Sequence, residues 1–167
     1  MTILSVITRR APTSPTTWNP ETRTFEVVFS TGSGVERRDA RGAYIERLDI
    51  RNQDWPEQVP LLDGHRRESL DNVLGSVVQL RTVGVEARAT VRLSRHSPLA
   101  DRLAAELSDG ANFGVSVGYT VEAWSEGNDP DTGRRVKTAT RWTPVEVSIV
   151  PIPADRSASI RGSTMPT

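Results

Sequence analysis

Apolar and polar positions alternate with a period of two along most of this chain, and a period near 3.6 is confined to one segment. Val85, Ala87, Ala89, Val91 and Leu93 fall on one face of a run whose other face is Glu86, Arg88, Thr90 and Arg92. That is the pattern of a half-buried antiparallel strand, entered through a turn at Val83-Gly84. Related runs predict strands at Thr24–Ser30, Tyr44–Ile50, Val59–Leu62, Val73–Leu80, Gly114–Trp124, Arg134–Trp142 and Val145–Val150. The helical segment lies between Ser97, a good N-cap followed by Pro98, and Gly110, which suits the residue past a helix end. Leu99, Leu103 and Leu107 recur there every fourth residue beside Ala100 and Ala104, making one apolar stripe.

Residues 9 to 20 carry three prolines among Thr, Ser and Asn, so residues 1–20 read as a flexible lead-in. Ser125–Gly133 reads as a polar loop, and residues 161–167 as a disordered tail. What remains, residues 21–160, is one domain of seven or eight strands and a helix. The expectation is a mainly β (α+β) fold, a closed or nearly closed antiparallel β-barrel with a helix packed on it.

Composition narrows the function by exclusion. Twenty-one Lys and Arg against 21 Asp and Glu give a formal net charge of zero, which leaves no electrostatic footprint for nucleic acid or an anionic membrane. No apolar run approaches a membrane span, and no signal-peptide pattern opens the chain. The absence of cysteine rules out disulfides, thiolate nucleophiles and Cys-ligated zinc. Two histidines without a paired-ligand spacing argue against a zinc site of any other kind, and no cofactor is implied.

Three segments carry chemistry. His65 follows the apolar strand in Pro60-Leu-Leu-Asp-Gly-His65, Ser116 lies in Gly114-Val-Ser-Val-Gly118, and Glu146 sits inside the apolar run Val145-Glu-Val-Ser-Ile-Val150. Histidine, serine and a carboxylate are the parts of an activated hydroxyl nucleophile. The match of residues 114–118 to G-x-S-x-G does not make an α/β-hydrolase. That elbow needs strand, turn, then helix, with a later histidine, whereas here the helix comes first and no histidine follows position 96. His96 also competes poorly as a base, because the positive end of the helix beginning at Ser97 disfavours an imidazolium. Blander readings stand beside each residue: Ser116 in a glycine-flanked strand, His65 in a polar turn, Glu146 on the solvent side of an edge strand. Asp63, Glu68, Asp71 and Asp155 are alternative carboxylates for the third role.

The order of these motifs resembles the prohead, or capsid-maturation, serine proteases of tailed bacteriophages and gene transfer particles. The resemblance spans roughly residues 20 to 160. It rests on Leu61-Leu-Asp-Gly-His65, on Ser116-Val-Gly-Tyr119 after a helix, and above all on Glu146-Val-Ser-Ile-Val-Pro-Ile-Pro-Ala154. It implies a β-barrel with a few packed helices, similar to herpesvirus assemblin proteases. It also implies Ser116 as nucleophile, His65 as general base and Glu146 as the group orienting His65. Backbone N–H groups of Ala154, Asp155 and Arg156 would form the oxyanion hole. The implied substrates are scaffold segments of the major capsid protein precursor and the protease itself, cleaved inside the immature capsid in the host bacterial cytoplasm. A homodimer is compatible with the resemblance. A non-catalytic capsid-assembly or scaffold-binding protein on the same barrel is the competing reading, which the intact His65, Ser116 and Glu146 argue against.

Overall fold

The structure, a computed structural model, describes residues 17–151 together with the backbone course of Ile7–Pro12. Its strands are β1 (Ile7–Pro12), β2 (Thr24–Ser30), β3 (Val35–Asp39), β4 (Gly42–Leu48), β5 (Gln58–Asp63), β6 (Val73–Val83) and β7 (Glu86–Leu93). After helix α1 (Pro98–Ser108) come β8 (Gly114–Asn128) and β9 (Arg135–Val150). All nine strands join one sheet in the order β1-β8-β9-β5-β6-β7-β2, with β4 paired to β9 and β3 to β4.

The sheet is a curled, mixed half-barrel, which corrects the expectation of a closed or nearly closed antiparallel barrel. β9 pairs antiparallel with β8 along its whole length but parallel with β4 at Val136–Ala139 and with β5 at Val147–Ile149. Alternation in a sequence reports which face a side chain takes; it carries no information about strand direction. Register shifts interrupt the β2–β7, β5–β6, β6–β7 and β8–β9 ladders, and each such bulge adds local twist. Among the described residues α1 is the one α-helix, beside a 3-10 turn at Leu70–Asn72, where the family resemblance implies a few helices.

Other departures are local. Ile7–Pro12, inside the stretch read as an irregular lead-in, forms β1 and pairs with β8. β3, with the charged sequence Val-Glu-Arg-Arg-Asp, lacks an apolar face and gave no strand signal. The two runs on either side of Thr143-Pro144 form the single strand β9. Pro144 is tolerated because the ladder slips there: Gly118 faces Glu146 and Tyr119 faces Pro144, leaving Val145 as the extra residue of a bulge. Val85 belongs to the turn and is 78% exposed, so the buried face of β7 begins at Ala87. The tail at 161–167 lies outside the described residues.

The concave side of the sheet holds the core. Phe25, Val27 and Phe29 of β2, Ala87, Ala89 and Val91 of β7, and Val115, Val117, Val147 and Ile149 of β8 and β9 meet there. Trp142 sits among Phe29, Trp55 and Tyr119 in edge-to-face contacts, with ring centroids 5.1–6.5 Å apart. α1 closes part of the core with Ala100, Leu103 and Leu107, while Leu99 is partly exposed. The helix starts where the sequence places it, with the Ser97 side chain accepting from Ala100 N. It ends in a Schellman motif: Gly110, at φ +84°, donates to Leu107 O and Ala111 N to Glu106 O.

Candidate active site

β8 and β9 lie side by side, and their register sets the site. Ser116 is directly opposite Ser148, and Gly118 directly opposite Glu146. Directly paired residues of an antiparallel ladder project to the same face. Val115, Val117, Val147 and Ile149 alternate with them and take the core face, so Ser116, Ser148 and Glu146 all rise from the other face. All three are nonetheless buried, at 1%, 0% and 2% exposure.

His65 reaches that face from β5, which flanks β9 on the side away from β8. β5 ends at Asp63, and Gly64 N donates to Ile149 O at 3.0 Å, carrying the chain one step further along β9. A tight turn follows, closed by Arg66 N donating to Asp63 O at 3.0 Å. Its central residues, Gly64 at φ +55° and His65 at φ +67°, are both left-handed, as in a type I′ turn. Glycine takes that conformation freely; histidine takes it at a cost that its surroundings must offset.

Glu146 lies at the centre of the site's hydrogen bonds. Its Oε1 is 2.6 Å from His65 Nδ1 and accepts from the Arg67 guanidinium at 3.4 Å. Its Oε2 accepts from Ser148 Oγ at 2.6 Å. A carboxylate this deeply buried is costly unless both oxygens are paired, and here both are. With Nδ1 engaged by Glu146, Nε2 is the nitrogen left to act on a hydroxyl. The His65 side chain keeps 26% exposure. Ser116 Oγ is buried and has no hydrogen-bond partner among the described residues, and no direct bond joins it to His65. In enzymes without substrate, catalytic hydrogen bonds are often long or not yet formed.

The other candidates are elsewhere. Asp63 accepts from Arg66 and Glu68 from the Arg67 backbone, while Asp71 donates its backbone N–H to Ser69. None of the three bonds His65. His96 is exposed beside the start of α1, its N–H donating to Ser94 Oγ. β9 runs between β8 and β5, so Glu146 is on an interior strand and not on the solvent side of an edge. Ala154, Asp155 and Arg156 lie outside the described residues. Among the described residues no group of three or more His, Asp or Glu could hold a metal ion, and no helix is long and apolar enough to cross a membrane.

Two residues of the site stand inside the family-like motifs but have no role of their own in the sequence reading. Ser148 reads as one more strand residue. Gly118 reads as the end of an elbow motif, but its role is spatial: a Cβ there would lie 2.3 Å from Glu146 Oε1 and 3.0 Å from the Arg67 guanidinium. The glycine makes room for the buried carboxylate across the ladder.

The fold is that of a phage capsid protease. It is similar to the capsid assembly protease gp21 of bacteriophage T4, with a TM-score of 0.55 and 14% identity, covering 89% of this chain and 98% of that one. Residues 19–166 match the model of the Caudovirus prohead serine protease family, and the chain belongs to that family. It is therefore a serine protease of phage capsid assembly and maturation. No curated protein matches it in sequence.

Proposed function

We propose that this protease hydrolyses scaffold segments of the capsid precursor, and its own chain, with Ser116 as nucleophile, His65 as general base and Glu146 as the group orienting His65. The observation that carries the reading is the 2.6 Å contact of His65 Nδ1 with a buried Glu146, on the face shared by Ser116. His65 Nε2 takes the Ser116 hydroxyl proton as Oγ attacks the scissile carbonyl, and returns a proton to the leaving amine. Water then attacks the acyl-enzyme by the same route in reverse. Glu146 fixes the tautomer with the proton on Nδ1 and stabilises the imidazolium that forms in the transition state. Confinement inside the immature capsid would keep this activity away from unassembled capsid protein.

The test is co-expression or co-incubation with the capsid precursor. The parent chain should cleave it and be labelled at Ser116 by a fluorophosphonate probe. Ser116→Ala should keep the melting temperature and lose cleavage by about 10,000-fold or more. Undiminished processing by the purified Ala variant would overturn the assignment.

A further inference from the structure

We infer that Ser148 is a positioning residue of this site, which holds the base and its carboxylate in register through one hydroxyl; the inference rests on the catalytic reading above. Ser148 Oγ accepts from the backbone N–H of His65 at 3.0 Å and donates to Glu146 Oε2 at 2.6 Å. It does so from a fully buried position directly opposite Ser116. One atom thus ties the backbone of the base to the carboxylate that meets its ring, from the residue paired across the ladder with the nucleophile.

The chemistry of a hydroxyl suits this place and few other groups do. The site asks for one donor toward a carboxylate and one acceptor toward an N–H, which Ser and Thr supply from a single atom. Alanine supplies neither, and would leave Glu146 Oε2 without that donor and the His65 N–H without its acceptor. The second loss matters because His65 is left-handed. Next to it, Gly64 N is held by Ile149 O, so Ser148 and its neighbour on β9 clamp two consecutive N–H groups of the turn. The clamp maintains a conformation that histidine does not choose by itself. The carboxylate end of the network is aimed as well: the Ser148 bond fixes Oε2, so Oε1 faces Nδ1.

The experiment measures kcat and KM on a precursor-derived peptide for the parent chain, Ser148→Ala, Ser148→Thr, Glu146→Gln and the Ser148→Ala/Glu146→Gln double variant, with a melting temperature for each. Ser148→Ala should lower kcat by about 10- to 100-fold, the scale of a hydrogen bond to a charged group, with KM little changed. Ser148→Thr should recover most of that loss. In the Glu146→Gln background the Ala substitution should cost much less than in the parent, because both act through His65. An unchanged kcat in Ser148→Ala at a temperature where it is folded would overturn the inference, and so would two losses that multiply in full. A lowered melting temperature accompanied by normal turnover would reassign Ser148 to folding. If Ser116→Ala still cleaves, the catalytic reading itself falls; if Ser116→Ala is dead and Ser148→Ala turns over normally, only the role of Ser148 falls.

Discussion

The two ends of the β8–β9 ribbon share one antiparallel ladder and use charge in opposite ways. At the far end, Arg135 bonds Asp39, Arg134 bonds Glu36 at 2.6 Å, and Lys137 lies 3.7 Å from both Asp39 and Glu126. Lys137, the one lysine of the chain, also stands 4.9 Å from the ring centres of Tyr44 and Trp124. The carboxylates Glu36, Asp39 and Glu126 keep 64%, 31% and 42% side-chain exposure there, and ion pairs open to solvent contribute little. At the near end Glu146 is buried, and its partners are His65, Arg67 and Ser148. The Glu146 side chain is 2% exposed, so a lost partner leaves a buried carboxylate short of a donor. Charge at one end lies along a surface; at the other end one buried carboxylate gathers three partners.

That contrast predicts a steep ranking of substitutions. The largest effect after loss of the nucleophile belongs to Glu146. Glu146→Gln keeps the shape and removes the charge, and kcat should fall by about 100- to 10,000-fold with residual turnover remaining. Glu146→Ala should be no milder. Normal cleavage by the Gln variant in a steady-state assay would reduce the triad to a His65–Ser116 dyad.

Gly118→Ala comes next. The new Cβ collides with Glu146 Oε1 at 2.3 Å, so the carboxylate must move. A displacement near 1 Å in a catalytic constellation costs about 100-fold in rate, and overpacking costs about 1–3 kcal/mol in stability. Turnover and a chemical denaturation curve on the same preparation separate the two. Parent-like kcat in this variant would show that Glu146 can shift without consequence and would weaken the comparison.

At the far end the expected effects are small. Arg134→Ala removes the partner whose hydrogen bond and charge hold Glu36 below the ordinary glutamate range, yet cleavage and melting temperature should stay at parent values. A marked loss of activity there would mean that the hairpin tip touches substrate, and the contrast between the two ends would no longer hold.

The smallest effect is a pH dependence. Asp129 is held below the ordinary aspartate value chiefly by the Thr132 backbone N–H, with a further N–H from Asp131 and the charge of Arg47. Its pKa is depressed in the fold, so its contribution is complete above the unfolded value and disappears as the pH falls through the folded one. Asp129→Asn should therefore flatten the acid limb of a stability-against-pH curve slightly and leave neutral-pH cleavage unchanged. An acid limb identical to the parent would remove Asp129 from the account.

Much of this molecule is legible along the chain. The strands with one apolar face, β2, β7 and the near halves of β8 and β9, follow from alternation, and α1 follows from Ser97, Pro98, its stripe and Gly110. Those signals are local, because burial on one face and capping by one side chain are decided within a few residues. His65, Ser116 and Glu146 were likewise singled out by type and context. β3 escaped because a charged strand paired only at its backbone has no periodicity to read, and β1 because prolines nearby suggested irregular chain.

What only the tertiary structure decided concerns relations between distant segments. Strand direction, and hence the parallel pairing of β4 and β5 with β9, leaves no trace in side-chain alternation. The bulge at Val145 carries β9 past Pro144, a point where the sequence reads as a break. Glu146 was separated from Asp63, Glu68 and Asp71 as the partner of His65 by the register of β9 against β5 and β8, which depends on the whole sheet. The roles of Ser148 and Gly118 belong to the same kind: a hydroxyl joining residues 65 and 146, and a missing side chain making room for one, exist only once three strands lie side by side.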